Sequence, residues 1–154
     1  MEFDIRYQQP TTVAFVSHTG FFAGIAEAFQ KLVLGFGPPG LSSASRLLTV
    51  FHDGPMDQPS CQRADAAVEL QSGRPELSGE VEIRSLPGGT YAVTRHTGPY
   101  AGLPAAWIGF SAELARRGMK PSRRLRFEIY LNDPEEVPEE DLLTELHMPV
   151  DVCS

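Results

Sequence analysis

An internal repeat constrains the fold of this sequence more than any other feature. Residues 3–25 align with residues 81–103 without a gap, and nine of the 23 aligned positions are identical. The tripeptide His-Thr-Gly, for example, occurs at 18–20 and again at 96–98. Self-similarity at a fixed offset indicates duplication of one structural unit. The chain is therefore expected to contain two copies of the same arrangement of strands and helices.

Both copies show the same succession of hydrophobic patterns. Apolar and polar residues alternate first, which predicts a half-buried strand, and a second strand then ends at His-Thr-Gly. Apolar residues next recur every three or four positions, as in an amphipathic helix that stops at Gly35 or Gly118. Two more strands complete each β-β-α-β-β unit. The predicted strands lie at about 3–8, 12–17, 47–52, 64–70, 81–84, 90–95, 124–131 and 143–150.

Two such units predict a single α+β domain over residues 1–154, with eight strands and two helices. The first repeat covers about 3–70 and the second about 81–150, with a polar, turn-rich linker at 71–80. The helices are expected to cover one face of the antiparallel sheets. Because pseudo-twofold symmetry places equivalent surfaces opposite each other, we expect a ligand groove between the repeats.

Charge and hydropathy exclude several classes of partner. The formal net charge is −7, from 13 basic and 20 acidic side chains, which disfavours a nucleic acid partner. No apolar run approaches the roughly 20 residues of a membrane-spanning helix, so a soluble protein without membrane contact is expected. The charged segment 1–7 does not have the composition of a signal peptide, and the expected location is the cytoplasm.

Metal, disulfide and cofactor chemistry are not expected. Cys61 and Cys153 are the only cysteines, and neither they nor the four histidines show the spacing of metal ligands. Two of the histidines, His18 and His96, end strands beside Thr-Gly turns and are expected to cap the backbone. The sequence has no phosphate loop, dinucleotide fingerprint or nucleophile elbow, so no cofactor is predicted.

Four segments carry a resemblance to a known family. They are His-Thr-Gly-Pro-Tyr at 96–100, Ala-Trp at 106–107, Phe-Glu-Ile-Tyr-Leu-Asn-Asp-Pro at 127–134 and Thr-Glu-Leu-His-Met-Pro-Val at 144–150. With these motifs in this order, the chain resembles the GyrI-like small-molecule-binding domain, most strongly in its second half. The resemblance implies a duplicated fold with a central ligand groove.

The resemblance also implies a choice of functions. Family members are drug-sensing domains of transcription activators, proteins that protect DNA gyrase, and hydrolases of cyclopropane-bearing DNA alkylators. Because the first predicted strand starts almost at Met1, a preceding helix-turn-helix domain is not expected. The leading hypothesis is binding and sequestration of bulky hydrophobic, often cationic aromatic molecules. Hydrolysis of strained electrophiles in the same groove and gyrase protection are the alternatives, and the sequence gives no indication of oligomeric state.

Glu145 is the acidic residue that the resemblance places on the last strand, facing the ligand. Strand alternation puts Leu143, Glu145 and His147 on one face, and a carboxylate in so apolar a strand must be either solvated or functional. A glutamate exposed on an edge strand is the alternative. In a hydrolase, Glu145 would act as the general base and Trp107 would hold the substrate.

Aromatic residues at corresponding positions of the two repeats are candidate ligand contacts. Trp107 is the only tryptophan, and its counterpart on the first helix is Phe29. Its indole ring offers a large π face and a hydrogen-bond donor. Packing in the core is the alternative for each of these aromatics. The predicted ligand-binding set is Glu145, Trp107, Tyr100, Tyr130, Phe29, Phe22, Phe51 and His147.

Overall fold

The computed structural model describes residues 2–21, 24–36, 46–53, 62–70, 76–122 and 124–151. Strands and helices follow the order β-β-α-β-β twice, with a short extra strand in the second copy. The strands are β1 (Asp4–Gln8), β2 (Thr11–Thr19), β3 (Leu47–Phe51), β4 (Arg63–Glu69), β5 (Glu82–Leu86), β6 (Gly89–Thr97), β7 (Lys120–Pro121), β8 (Arg126–Tyr130) and β9 (Leu143–Asp151), and the helices are α1 (Ile25–Leu34) and α2 (Leu103–Arg116).

The strands form an antiparallel sheet in which the two repeats exchange their first strands. The order is β1-β6-β9-β8-β3-β4-β2-β5, and β7 pairs with β9 outside this path. β1 therefore pairs with β6 of the second repeat, and β5 pairs with β2 of the first. The two repeats meet where β3 pairs with β8. A pseudo-twofold axis that relates the repeats thus crosses the sheet at this central pair.

Both helices pack on the same face of the sheet. Each buries apolar residues three or four positions apart, as its sequence stripe predicts. These residues join one apolar cluster with alternate residues of β2, β4, β6 and β9. Pro104 lies in the first turn of α2, where its missing amide donor costs no hydrogen bond. The buried apolar residues of the helices are Ile25, Ala28, Leu32, Leu103, Trp107, Phe110 and Leu114.

The repeated histidines cap the backbone before each helix, as predicted. Nε2 of His18 lies 2.8 Å from the carbonyl oxygen of Phe21, and Nε2 of His96 lies 3.4 Å from that of Pro99. In each case the imidazole N–H can donate to the carbonyl of the turn. A Cβ on Gly24 would lie 2.7 Å from the His18 ring, so the glycine before α1 allows the ring to approach.

The sheet curls, so that its second face is also enclosed. Only two residues link β1 to β2, although these strands lie near opposite ends of the strand order, and the same holds for β5 and β6. The two connections touch where they cross, since a Cβ on Gly88 would lie 2.4 Å from the Gln8 carbonyl oxygen. The enclosed face packs a second apolar cluster formed by Val13, Phe15, Leu48, Val50, Ala67, Leu86, Tyr91, Val93, Phe127 and Ile129.

Gly88→Ala is expected to destabilise the fold by about 1–3 kcal/mol, the usual cost of overpacking. The added methyl group would meet the backbone of Gln8 and Pro10, which cannot rotate away as a side chain could. Urea denaturation should show a lower midpoint with an unchanged slope. Ser85→Ala is the control, because Ser85 is exposed close to the same connection. Similar midpoints for the two variants would contradict the close contact between the β1–β2 and β5–β6 connections.

The α+β fold predicted from the sequence is confirmed. Predicted and observed strand limits differ by at most two residues, and both helices end directly before or within two residues of the predicted glycines. β7 is an addition to the eight predicted strands, because two residues that include a proline leave no alternating pattern. The first half of the predicted linker, 71–75, lies outside the described residues, as do Cys61 and Cys153.

Candidate functional site

The central strand pair carries polar and aromatic side chains on the face that supports the helices. Thr49 and Glu128 are paired directly across β3 and β8, and each is the middle residue of its strand. α1 packs over β2 and β4 and α2 packs against β6, so the helices flank this pair. Strand alternation adds Phe51, Arg126 and Tyr130 to the same face. We call these five residues, together with Trp107, Phe29 and Tyr100, the central site.

Glu128 is fully buried, and each of its carboxyl oxygens accepts a hydrogen bond. The Trp107 indole donates from Nε1 to Oε1 at 2.7 Å, and the Tyr130 hydroxyl donates to Oε2 at 2.6 Å. The Thr49 hydroxyl lies 2.6 Å from the Tyr130 oxygen and can donate to it in turn. These donors come from α2, β8 and β3, so both repeats fix the orientation of one carboxyl. A connected polar network of this kind offsets the cost of burial.

Burial raises the pKa of Glu128 above its ordinary value. Hydrogen bonds from Tyr130 and Trp107 and the positive charge of Arg126 oppose that rise, because they favour the ionised carboxylate. The pKa of Tyr130 itself is raised well above its usual value, first by burial and then by the charge of Glu128. Tyr130 therefore keeps its proton and remains a donor to the carboxyl.

Aromatic rings from both repeats surround this carboxyl. Phe51 and Trp107 meet edge to face, with ring centroids 5.8 Å apart. Phe29 of α1 and Tyr100, which precedes α2, both contact the Tyr130 ring, at centroid distances of 5.9 and 5.2 Å. Phe29, Tyr100 and Tyr130 are half-buried, whereas Trp107 is only 3% exposed. The half-buried rings are thus the part of the central site that solvent reaches.

Arg126 adds a positive charge and stacks on two of these rings. Its guanidinium carbon lies 4.0 Å from the Phe51 ring centroid and 4.4 Å from that of Trp107. Thr144 adds a neutral polar group, because it pairs with Tyr130 across β8 and β9 on the same face. The Thr144 hydroxyl is buried and has no hydrogen-bond partner among the described residues. A hydrogen-bonding group of a ligand that reached this face would satisfy it.

Glu145 and His147 lie on the other, enclosed face of the sheet. Leu146 between them packs under the helices, whereas His147 stacks on Phe127 of the enclosed cluster with ring centroids 4.6 Å apart. The prediction that Glu145 and His147 share one strand face is confirmed, since they lie within hydrogen-bond distance. The structure does not bring Glu145 together with Trp107, which lies on the helix side. Glu128 is the carboxyl that lies beside Trp107.

Glu145 has a set of partners that accounts for its burial. His147 Nε2 lies 2.8 Å from Oε1, and the guanidinium groups of Arg6 and Arg95 lie 3.5 and 3.8 Å from Oε2. Burial lowers the pKa of His147 and so favours the neutral imidazole, although the hydrogen bond and the charge of Glu145 act in the opposite direction. A neutral ring can donate to Glu145 and accept at Nδ1 from the Gln8 amide at 2.8 Å. Because Arg6 and Gln8 belong to β1, this cluster ties the exchanged strand to the second repeat.

Asp65 is the counterpart of Glu145 in the first repeat. It accepts hydrogen bonds from Ser17 at 3.0 Å and from Arg84 at 2.8 Å, and it lies 2.8 Å from the His52 imidazole. Arg84 belongs to β5, and it aligns with Arg6 in the internal repeat. Each repeat thus uses one buried acidic residue to hold the first strand of the other. A structural function of this kind explains why both carboxylates lie in apolar strands.

Most residues of the central site could be predicted from the sequence, but its carboxyl residue, Glu128, could not. Glu128 and Tyr130 are two residues apart in a strand, so alternation alone places them on one face. The sequence does not reveal which face of each strand the helices cover, and the choice between Glu128 and Glu145 depends on that. Phe22 lies outside the described residues. The predicted ligand contacts that the structure does place at the central site are Trp107, Tyr100, Tyr130, Phe29 and Phe51.

The described part of the chain has neither a metal-binding cluster nor a membrane-spanning helix. Within it, His, Cys, Asp and Glu side chains form no group of three or more that could hold a metal ion. None of its helices has both the length and the apolar character needed to cross a membrane. The chemical groups at the central site are a carboxyl, hydroxyls, a guanidinium and aromatic rings.

Solved structures share this fold. The C-terminal domain of EcmrR matches with a TM-score of 0.81 at 15% identity, over 99% of this chain and 98% of that domain. SAV2435 bound to tetraphenylphosphonium matches with a TM-score of 0.69 at 14% identity, over 98% and 94% of the two chains. A hydrolase from Listeria innocua matches with a TM-score of 0.71 at 13% identity, over 97% and 92%. At these identities the likeness establishes the fold alone.

Sequence comparison identifies the family. A DNA gyrase inhibitor of Cronobacter sakazakii (strain ATCC BAA-894) is 37% identical over 90 residues, which are 56% of this chain and 57% of that protein. The matched segment thus spans little more than half of that relative. The GyrI-like small molecule binding domain matches residues 1–151, which confirms the resemblance carried by the sequence motifs. The chain therefore belongs to the family of GyrI-like small molecule binding domains.

Proposed function

We propose that this protein binds bulky lipophilic cations at the central site, with Glu128 as the counter-charge. The observation that carries this proposal is the buried Glu128 carboxyl, held by Trp107 and Tyr130 and surrounded by aromatic rings from both repeats. SAV2435, which has the same fold, was solved with tetraphenylphosphonium bound. This ion is therefore a suitable probe ligand.

The chemistry of the site suits a cation whose charge is spread over a large apolar surface. Such an ion loses little hydration energy on burial, whereas the buried carboxylate gains a partner for its charge. Aromatic faces add cation–π attraction of about 0.5–2 kcal/mol per favourable ring. A compact, strongly hydrated cation would lose more on leaving water. The site should therefore prefer aromatic phosphonium and ammonium ions to metal ions or simple amines.

Binding requires the aromatic rings to separate. Phe29 and Tyr100 come from different repeats and both rest on Tyr130, so they are the rings whose movement opens a path to Glu128. Both are half-buried, and ring contacts of this kind contribute about 0.5–1.5 kcal/mol each. A ligand that stacks on the same rings replaces those contacts. Opening the site is thus inexpensive relative to micromolar binding, about −8 kcal/mol.

The acidic segment 133–141 supports the preference for cations. It contains six acidic residues, and the charge of Asp133 contributes to the raised pKa of Tyr100, after the larger effect of burial. The segment therefore begins within electrostatic reach of the central site. Negative charge near the entrance raises the local concentration of cations and the rate at which they associate. Added salt should slow association more than it slows dissociation.

Tryptophan fluorescence provides a direct test of the proposal. Trp107 is the only tryptophan and lies in the central site, so a ligand that reaches Glu128 must change its environment. We expect saturable quenching or a spectral shift with micromolar tetraphenylphosphonium. Triphenylphosphine oxide, a neutral molecule with similar rings, should bind more weakly. Absence of a saturable change with a varied panel of aromatic cations, confirmed by calorimetry, would refute the proposal.

Affinity for tetraphenylphosphonium is expected to rise with pH and then level off. Below the raised pKa of Glu128 the carboxyl is protonated and offers no charge, so affinity should fall by up to about tenfold per pH unit. The effect of Glu128 on folding stability has the opposite dependence on pH. Because the folded state favours the protonated carboxyl, the stabilisation that Glu128 contributes is present below its ordinary pKa of 4.5. It is lost as pH rises through the raised pKa.

Calorimetric titrations and thermal melts across the acidic range measure both profiles. Glu128→Gln should flatten the affinity profile and remove the contribution of Glu128 from the stability profile. Profiles that remain unchanged in this variant would assign the titration to another group.

Hydrolysis of a strained electrophile is a second candidate function. The observation that favours it is the raised pKa of Glu128, because a carboxyl shifted toward neutrality suits proton transfer. Glu128 would take a proton from water as the water oxygen attacks a cyclopropane carbon. The ring C–C bond would break with its electron pair passing to a conjugated carbonyl, and the resulting enolate would recover the proton. Trp107 would hold the ring system in place.

Product mass distinguishes the two candidate functions. A hydrolase should convert a cyclopropane-bearing alkylator to a product heavier by one water, and Glu128→Gln should abolish most turnover while retaining binding. Glu145→Gln is the matched control for the carboxyl on the enclosed face. Wild-type protein that binds the compound and releases it unchanged would leave binding as the function.

A gyrase-directed function is a third candidate, supported by relatives that are named DNA gyrase inhibitors. A supercoiling assay tests it. Addition of the protein should then slow supercoiling by purified gyrase or protect gyrase from a poison. An excess of protein without either effect would remove this candidate.

A further inference from the structure

β1 is an edge strand whose outer side is unpaired in the part of the chain that the structure describes. It pairs with β6 on its inner side. Ile5 and Tyr7 are 48% and 67% exposed, and the Asp4 and Arg6 side chains are 72% and 45% exposed. Such an edge presents N–H and C=O groups that can pair with another strand. Proline or like charges commonly block edges, but β1 has no proline and carries one charge of each sign.

We propose that β1 pairs antiparallel with β1 of a second copy and forms a twofold dimer with one continuous sheet. Residues directly opposite each other in an antiparallel pair must lie on the same face. A twofold axis perpendicular to the sheet keeps every residue on the same face of the sheet. The axis must therefore lie midway between the two copies of one residue, and not between two successive positions of the strand. Ile5 is the residue that we place on this axis, opposite the partner's Ile5.

Charge selects this register. With Ile5 on the axis, Asp4 lies opposite the partner's Arg6, and Arg6 lies opposite the partner's Asp4. An axis through Asp4 or through Arg6 would instead place two like charges directly opposite each other, which destabilises a strand pair. On the other face, Phe3, which precedes β1 and packs on Phe110, lies opposite the partner's Tyr7. An axis at Tyr7 avoids like charges but pairs no opposite charges. The axis at Ile5 is thus the one that pairs opposite charges without placing like charges opposite each other.

β5 is the equivalent edge of the other repeat and provides a matched comparison. It has the same order of acid, isoleucine and arginine at 82–84. Val81 and Ser85, however, take the places of Phe3 and Tyr7, so the aromatic pairs would be missing. Aromatic cross-strand pairs are among the more stabilising pairs in a sheet. The β1 edge is therefore the favoured dimer contact.

Analytical ultracentrifugation over a wide concentration range tests this proposal. Five-residue strands bury less than the roughly 800 Å² per partner of a stable interface, so we expect a dissociation constant on the order of tens of micromolar. The average mass should rise from 16.9 kDa toward twice that value. Ile5→Lys, which would place two lysines on the axis, should remain monomeric. Ile83→Lys, at the equivalent position of β5, should dimerise like the wild type.

Tyr7→Ser is a second variant that does not endanger folding, because Tyr7 is mostly exposed. It should weaken dimerisation by about tenfold or more, and circular dichroism should show that every variant is folded. A wild-type chain that stays monomeric at all concentrations would overturn the proposal. So would a dimer that survives Ile5→Lys, or one that Ile83→Lys abolishes.

Discussion

Glu128→Gln should weaken the binding of tetraphenylphosphonium by about 1–3 kcal/mol while leaving triphenylphosphine oxide nearly unaffected. The substitution keeps the size of the side chain and a hydrogen-bond acceptor for Trp107, but it removes the buried charge. The cation therefore loses its counter-charge, whereas the neutral molecule loses little. Isothermal titration calorimetry of both ligands with both proteins measures the difference.

Glu145→Gln is the matched control for this prediction. Glu145 is also a largely buried glutamate in an apolar strand, but it lies on the enclosed face and already pairs with Arg6 and His147. We expect it to leave the affinity for both ligands unchanged at temperatures where the variant is folded. A loss of cation affinity with Glu145→Gln, and none with Glu128→Gln, would move the site to the enclosed face.

Trp107→Ala should lower the free energy of unfolding by about 3–5 kcal/mol, the usual cost of deleting a large buried aromatic side chain. The substitution removes a ring that packs on Phe51 and Arg126, and it leaves Oε1 of Glu128 without its donor. Because the variant lacks the only tryptophan, circular dichroism must follow its unfolding in urea.

Phe29→Ala is the repeat-equivalent control. Phe29 occupies the corresponding position of α1 but is only half-buried, so its loss should cost about 1–2 kcal/mol. Trp107→Ala removes both the packing of the ring and the hydrogen bond to Glu128. Trp107→Phe separates these two losses, because it keeps an aromatic ring and removes only the donor. Equal losses in the free energy of unfolding for Trp107→Ala and Phe29→Ala would show that the Trp107 indole does not stabilise the fold more than the half-buried Phe29 ring does.

Secondary structure could be predicted from the sequence because short-range patterns determine it. The three-and-four spacing in 103–114 reflects burial of one helix face, and the internal repeat showed the first two strands of the unit twice. His18 and His96 could be assigned to backbone capping for the same reason, since their contacts lie within three residues. The burial patterns and the capping contacts each involve residues that are close together in the sequence, so they can be read without knowledge of the tertiary structure.

The arrangement of the central site depends on contacts that the sequence does not contain. Trp107 and Glu128 are 21 residues apart, and the packing of α2 on the sheet brings them together. Thr49 and Tyr130 are 81 residues apart, and the pairing of β3 with β8 brings them together. The exchange of β1 and β5 is equally non-local. Without it, Glu145 could not be distinguished from Glu128, because Arg6, one of the two arginines near Glu145, belongs to the exchanged strand.

A crystal structure of the complex with tetraphenylphosphonium tests the central claim most directly. We expect phenyl rings within about 4 Å of Trp107 and Tyr130, displaced side chains of Phe29 and Tyr100, and Glu128 as the nearest carboxylate to phosphorus. An ion bound on the enclosed face beside Glu145 and His147, with the hydrogen bonds of Glu128 undisturbed, would contradict it.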